Sequence, residues 1–209
     1  MKQTSLFLAV SVLLALAACG SDNRDDAAVP VRVTELAAGT YAVSAGIAAN
    51  PMAGKYYAAA DGSRLVVLND PQERAQAVYR RDAGGAWRTV SGGAALDLLG
   101  SNPTVPAPLA VTASAGRYSV RLADGTVAAF SVNAAGDIVP GATACKLSGK
   151  LGASPFPSAL KLTLATSGCG ALPAAADGFA IADGDYAPAA FRLLADASPA
   201  VLDLWAYRD

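Results

Sequence analysis

The chain has 209 residues, three cysteines and no histidine. Without imidazole, Ser-His-Asp and Cys-His relays and histidine-bound zinc are excluded, which leaves thiols, lysine-activated hydroxyls, carboxylates and arginines to do any chemistry. Lys146, Ser148 and Lys150 alternate along one predicted strand and invite a serine-lysine dyad. They fall on the face opposite Leu147 and Leu151, however, where water keeps ammonium groups charged, so a solvated strand surface is expected instead. Paired carboxylates could hydrolyse a glycan. Asp61, Asp124, Asp177 and Asp183 each precede glycine in an Ala-Asp-Gly triplet, and turn formation accounts for them without catalysis. Asp183, Asp185 and Asp177 lack the twelve-residue spacing of a calcium loop, so no metal and no cofactor is expected. The strongest binding candidate is the hairpin from Val78 onward, with Gly84-Gly85 at its tip and Arg80, Arg81, Trp87 and Arg88 on its arms. Arginine beside an aromatic ring suits a carboxylate- or phosphate-bearing glycan or a protein partner. The plainer expectation is that Tyr79 and Trp87 face a core while the arginines are solvated.

The first cysteine has a different meaning. Lys2 precedes an apolar run at positions 6–18, interrupted by Ser11, which is too short to span a bilayer but long enough for a signal peptide. Leu16-Ala17-Ala18-Cys19 resembles a bacterial lipobox, in which the cysteine thiol takes a diacylglycerol and the peptide is cut just before it. Two or three acyl chains, at about 0.8 kcal/mol per buried methylene, attach a protein durably. Gly20 rather than aspartate after Cys19 points to the outer membrane, by resemblance to Gram-negative lipoproteins. Export also places Cys145 and Cys169 in an oxidising compartment, where an even pair is expected to be joined. Closing a loop of about 25 residues would contribute roughly 3–4 kcal/mol in the chain-entropy view.

The organisation reads as a signal peptide at 1–18, a lipidated tether at 19–33 and two β modules at 34–102 and 109–209, divided by the proline-rich run at 102–108. Loss of Lys2 moves the formal charge from −1 to −2, so no basic surplus exists for nucleic acid. At 53 % hydrophobic and 16 % charged, the chain can bury a substantial core.

Strand periodicity supports the division. Tyr118, Val120 and Leu122 alternate with arginine and serine. A three-residue loop Ala123-Asp124-Gly125, with Gly125 left-handed, pairs Leu122 with Thr126, Val120 with Ala128 and Tyr118 with Phe130. The same device recurs around Gly54-Lys55-Tyr56 and Asp61-Gly62-Ser63, and weaker Gly-x-Tyr echoes stand at Gly39 and Gly184. Further strands are expected at 145–151, 158–166, 178–182, 190–194 and 201–207. Only 71–74 and 93–99 could hold a helical turn. The fold class is therefore all-β, with two related antiparallel β-meander modules, each a small barrel or sandwich, and the disulfide in the second.

The succession Gly136-Asp137-Ile138-Val139-Pro140-Gly141, Cys145-Lys146-Leu147-Ser148-Gly149, Cys169 and Gly178-Phe179-Ala180 resembles a group of small proteobacterial lipoproteins that carry G-x-I-x-G, C-x-F-x-G, C and G-I-A after a G-x-Y repeat. The resemblance implies an all-β, disulfide-tied fold and outer-membrane association, and it carries no catalytic residue across. The expectation is a periplasm-facing lipoprotein held by its anchor, with an envelope protein or glycan as partner and a non-enzymatic binding or structural role. The alternatives are a carboxylate-dependent glycan hydrolase or an inhibitor of a periplasmic hydrolase.

Overall fold

The computed structural model describes residues 30–197 and 200–209, so the signal sequence, Cys19 and most of the tether lie outside the described residues. Every long element is a strand, and the described helical geometry is two three-residue 3-10 turns at Thr112–Ser114 and Gly184–Tyr186.

The first module begins with β1 (Arg32–Val33), then β2 (Gly39–Ile47), β3 (Asn50–Ala58), β4 (Arg64–Asn69), β5 (Ala75–Arg81), β6 (Arg88–Ser91), β7 (Ala95–Leu96) and β8 (Leu98–Thr104). Its six-stranded sheet runs β6-β5-β4-β3-β2-β8, a meander whose last strand returns beside β2. The short pair β1-β7 is parallel and packs on one face of it, through Val33 and Leu96. Leu65-Val66-Val67-Leu68 in β4 is apolar without alternation because both faces of the sheet are covered. Val66 and Leu68 point toward Tyr56, Tyr79, Val33 and Leu96, whereas Leu65 and Val67 point toward the second module. The proline-rich run begins inside β8: Pro103 is tolerated there because β8 is an edge strand, so the missing amide has no ladder partner to satisfy.

The second module is a closed up-and-down barrel of β9 (Gly116–Arg121), β10 (Val127–Val132), β11 (Asp137–Pro140), β12 (Lys146–Gly152), β13 (Ala159–Ser167), β14 (Ala175–Ile181), β15 (Ala189–Ala197) and β16 (Ala200–Arg208), with β16 pairing back to β9. Closure removes sheet edges, and an eight-stranded barrel is narrow enough to be filled by its own side chains. Here Tyr118, Phe130, Leu147, Leu162, Phe191 and Leu193 fill it. Cys145 and Cys169 are bonded, with Cα atoms 4.4 Å apart, and tie the start of β12 to the loop after β13.

The register at β9-β10 is the expected one: Val120 faces Ala128, Tyr118 faces Phe130, and the Leu122 amide donates to the Thr126 carbonyl across a turn with Gly125 at φ +86°. The hairpin β3-β4 repeats it, with Gly62 at φ +92°. Two expectations are corrected. The stretch 93–99 is not helical: Ala95–Leu96 form β7 and Leu98 opens β8, since Leu96 and Leu98 cover the sheet instead of forming a stripe of their own. Asp177 lies within β14, not in a turn; the glycine after it is required because a Cβ there would stand 2.1 Å from the Leu194 carbonyl oxygen of β15.

Candidate functional site

The arginine-rich hairpin is divided between the two faces of the sheet. Arg80 projects toward the barrel, where its guanidinium lies 4.9 Å from the Phe179 ring centre and pairs with Asp82 at 2.8 Å. Arg88 reaches Asp196 of the barrel at 3.5 Å. These two arginines therefore belong to the contact between modules. Arg81 and Trp87 lie on the opposite face, with the Arg81 guanidinium 5.2 Å from the Trp87 ring. Tyr79 is buried in the core of that face, as expected, and Trp87 packs partly buried against the same core.

There the sequence reading missed two partners, Glu35 and Arg64. The Glu35 carboxylate accepts from both terminal nitrogens of Arg81, one at 3.2 Å and the other closer, and from Trp87 Nε1 at 2.8 Å. Arg64 Nε lies 3.5 Å from Glu35 Oε2. Both guanidiniums are aimed by backbone oxygens: Arg64 Nη1 donates to the Ala59 and Ser63 carbonyls of the β3-β4 turn at 2.9 Å each, Arg64 Nη2 to the Leu36 carbonyl at 3.3 Å, and Arg81 to the Gly62 carbonyl of the turn at 3.3 Å. The turn is itself stiffened by Asp61, whose carboxylate accepts from the Ser63 amide at 2.8 Å, and that bond holds the Asp61 carboxyl below its ordinary range. The Ala-Asp-Gly-Ser sequence thus builds a planar, two-pronged cationic receiver at the end of β4 and β5, a shape suited to bidentate oxyanion binding.

Tyr56 completes the floor of this cradle. It is fully buried, with its ring edge-on to Trp87 at 6.2 Å and to Tyr41 at 6.4 Å. Its hydroxyl is buried against Arg64 and the Leu36 backbone, and the equally buried Arg64 Nε faces Glu35 across the 3.5 Å ion pair. Burial first, and then the Glu35 charge, pushes the Tyr56 hydroxyl above its usual value. On the same face an open groove of about 500 Å³ is lined by Met52, Ala77, Tyr79 and Leu96. The signals for Glu35 and Arg64 in the sequence are slight: Glu35 is the one acidic residue between positions 27 and 60, and Arg64 directly follows a turn motif.

The other candidates are engaged elsewhere. Lys146 donates to the Gly141 carbonyl and Lys150 pairs with Asp137, so Ser148 faces neither as a base. Asp124 accepts from the Thr126 amide at 2.9 Å, the same turn chemistry as Asp61. Asp183 caps the 3-10 turn by accepting from the Asp185 amide, and the Lys55 ammonium sits 3.6 Å from Asp183 and 2.6 Å from Asp185, occupying the place a calcium ion would need. Among the described residues no group of three or more His, Cys, Asp or Glu side chains could hold a metal.

A second polar cluster joins the modules. Arg192, only 5 % exposed, makes two 2.6 Å bonds to Asp203, donates to Asn69 Oδ1 at 3.0 Å and lies over the Trp205 ring at 4.6 Å. Tyr186 bonds Asn69 and Glu73 at 2.8 Å each. Against family models, curated proteins and solved structures, the chain matches none.

Proposed function

We propose that the chain is an outer-membrane-anchored lipoprotein facing the periplasm, whose role is to bind a ligand bearing an acidic group rather than to transform it. The anchoring half rests on Leu16-Ala17-Ala18-Cys19 and the polar tether that follows. The binding half rests on one observation: the chain's own Glu35 carboxylate sits between Arg81, Arg64 and Trp87 in a cradle whose arginines are held by backbone carbonyls, which shows that the cradle accepts a carboxylate. Preorganised donors of this kind hold a planar oxyanion with little loss of side-chain freedom. Glycan hydrolysis would need two carboxyl groups facing one another across a cleft. Asp61, Asp124 and Asp183 stand at three separate turns, each accepting a backbone amide, which favours binding over that alternative.

The test is retention of envelope components on the immobilised chain in its unlipidated Cys19→Ser form. A component retained by this chain is expected to be lost from Arg81→Ala and lost when the extract's carboxyl groups are esterified. Retention that ignores both changes, or no retention at all, contradicts the reading.

A further inference from the structure

The end of the first module from which the chain leaves toward Cys19 carries a projecting, uncharged hairpin. β2 and β3 are the longest strands of the sheet, nine residues each, and they outrun their neighbours. β8 joins β2 only from Ala45 inward, and β4 joins β3 only from Ala53 inward, so residues 46–47 and 50–52 pair with each other alone. At about 3.3 Å per residue, the hairpin extends roughly 7–10 Å beyond the sheet. Its tip is Ile47-Ala48-Ala49-Asn50-Pro51, exposed throughout, with Ile47 at 70 %. Leu99, 49 % exposed, stands just behind it at the bulge where β8 meets β2. No charged residue lies between Glu35 and Lys55 in the sequence. The three later turns of the meander carry Asp61, Asp70 with Glu73, and Asp82, as turns in water usually do. A single exposed apolar residue is ordinary, but an uncharged tip paired to no other strand is not explained by the packing of the sheet.

The direction of β1 says what lies below that tip. β1 runs from Arg32 toward the β3-β4 turn, where Glu35 and Leu36 meet Arg81 and Arg64, so its beginning points to the opposite end of the sheet, the end of the hairpin tip. The groove agrees: Gly46 and Met52 of the hairpin line it with Gly93 and Ala95, and the Arg32 amide donates to the Ala94 carbonyl between those two. Pro30 therefore leaves on the side of the tip. Cys19 lies eleven residues earlier (30 − 19), a separation that no chain stretches beyond about 40 Å. β2 alone is about 30 Å long, so turning the module over would draw that connection nearly straight. We infer that the β2-β3 hairpin tip docks on a lipid surface, with Ile47, Ala48, Ala49 and Pro51 entering the interface of the membrane that holds the anchor. The inference rests on the anchoring half of the reading above and goes beyond it by fixing how the module stands on the bilayer. The projection matches the roughly 5–10 Å to which interfacial apolar groups settle. Asp97, one residue before the Leu98 that pairs with Ala45, marks the depth at which insertion stops. So small an apolar tip holds little by itself, and it suffices once the anchor has confined the module to the surface. Docking turns the Arg64-Arg81 cradle, at the other end of the sheet, toward the aqueous side.

The test couples the chain from Cys19 onward, through that thiol, to maleimide-bearing lipid in vesicles of phosphatidylethanolamine and phosphatidylglycerol with brominated acyl chains. Cys145 and Cys169 are bonded to each other and do not compete for the coupling. Tryptophan is introduced at the tip, Ala48→Trp, or in the β3-β4 turn, Ala60→Trp, and quenching by the brominated chains is read against the parent, which holds Trp87 and Trp205. The expected result is quenching of the tip tryptophan, none of the far one, and no loss in about 0.5 M salt, because the contact is apolar. Adding Ile47→Asp to the Ala48→Trp chain is expected to lower the ratio of docked to undocked molecules about tenfold or more. Quenching at both sites or at neither, quenching lost in salt, or quenching indifferent to Ile47→Asp overturns the inference. The two tryptophan sites decide the matter whether or not the Ile47→Asp variant folds. Since the maleimide supplies the attachment, an unacylated native amino terminus would remove the anchoring reading whatever the vesicles show, and absent quenching would remove only this inference.

Discussion

Asp61 and Asp124 do the same work at equivalent turns. Each accepts the amide two residues on, and that bond is the main reason each carboxyl stays below its ordinary range. Asp137 is held low chiefly by Lys150 and then by Asn133. A carboxyl depressed in the folded state stabilises the fold above its unfolded value, near 3.9, and the contribution is lost as pH falls through the folded value. The urea midpoint is therefore expected to be level from pH 7 to 5 and to fall below about pH 4. Asp61→Ala or Asp124→Ala should lower the neutral midpoint and shallow the acid limb, and an unchanged acid limb in both variants would contradict the assignment. These turn residues were legible in the sequence because Asp-Gly chemistry is local. Glu35 and Arg64 were not, because their pairing bridges 29 positions and depends on which face of the sheet each strand presents.

Hairpin registers were the most legible elements, since alternation and a glycine of positive φ fix them together at β9-β10 and β3-β4. The turn equivalence hides a difference. One residue fewer lies between Gly54 and Asp61 than between Gly116 and Asp124, so Tyr56 faces away from the side that corresponds to the barrel interior, and Tyr57 takes that side. The unbroken apolar run at Leu65-Val66-Val67-Leu68 is the sequence signature of this two-faced sheet. The β14-β15 contact was not legible, because a glycine that follows aspartate reads as a turn unless its neighbour strand is known. Gly178→Ala brings a methyl to 2.1 Å from the Leu194 carbonyl oxygen, so it should cost roughly 1–3 kcal/mol in chemical denaturation. Gly184→Ala, where nothing stands within 4 Å, should cost less, and a reversed order would contradict the strand packing.

At the scale of the molecule the two modules share one apolar seam, where Tyr57, Leu65, Val67 and Val78 meet Phe156, Phe179, Ile181 and Leu194. Arg192 and Asp203 sit at its margin with Asn69. Removing one partner of such a buried pair leaves the other charge unpaired, so Arg192→Ala should cost about 3–5 kcal/mol, whereas replacing both residues by leucine should cost much less. A double-mutant cycle with no coupling would contradict the network. Tyr57 and Tyr186 beside it are both pushed up, chiefly by burial, Tyr186 to about 12. A hydroxyl raised in the folded state stabilises the fold below its unfolded value, near 10, and that contribution disappears as pH rises from there toward 12. Alkaline loss of stability should accordingly be blunted in Tyr57→Phe.

The account as a whole depends on how the three thiols are used. Cys145 and Cys169 are joined to each other in the barrel, and Cys19 is the thiol that the proposed anchor uses. The direct measurement is the non-reduced intact mass and amino-terminal peptide map of protein purified from its native membrane. The expected result is a chain beginning at an acylated Cys19, with the Cys145–Cys169 peptides linked. An unacylated amino terminus, or a disulfide that includes Cys19, would contradict it.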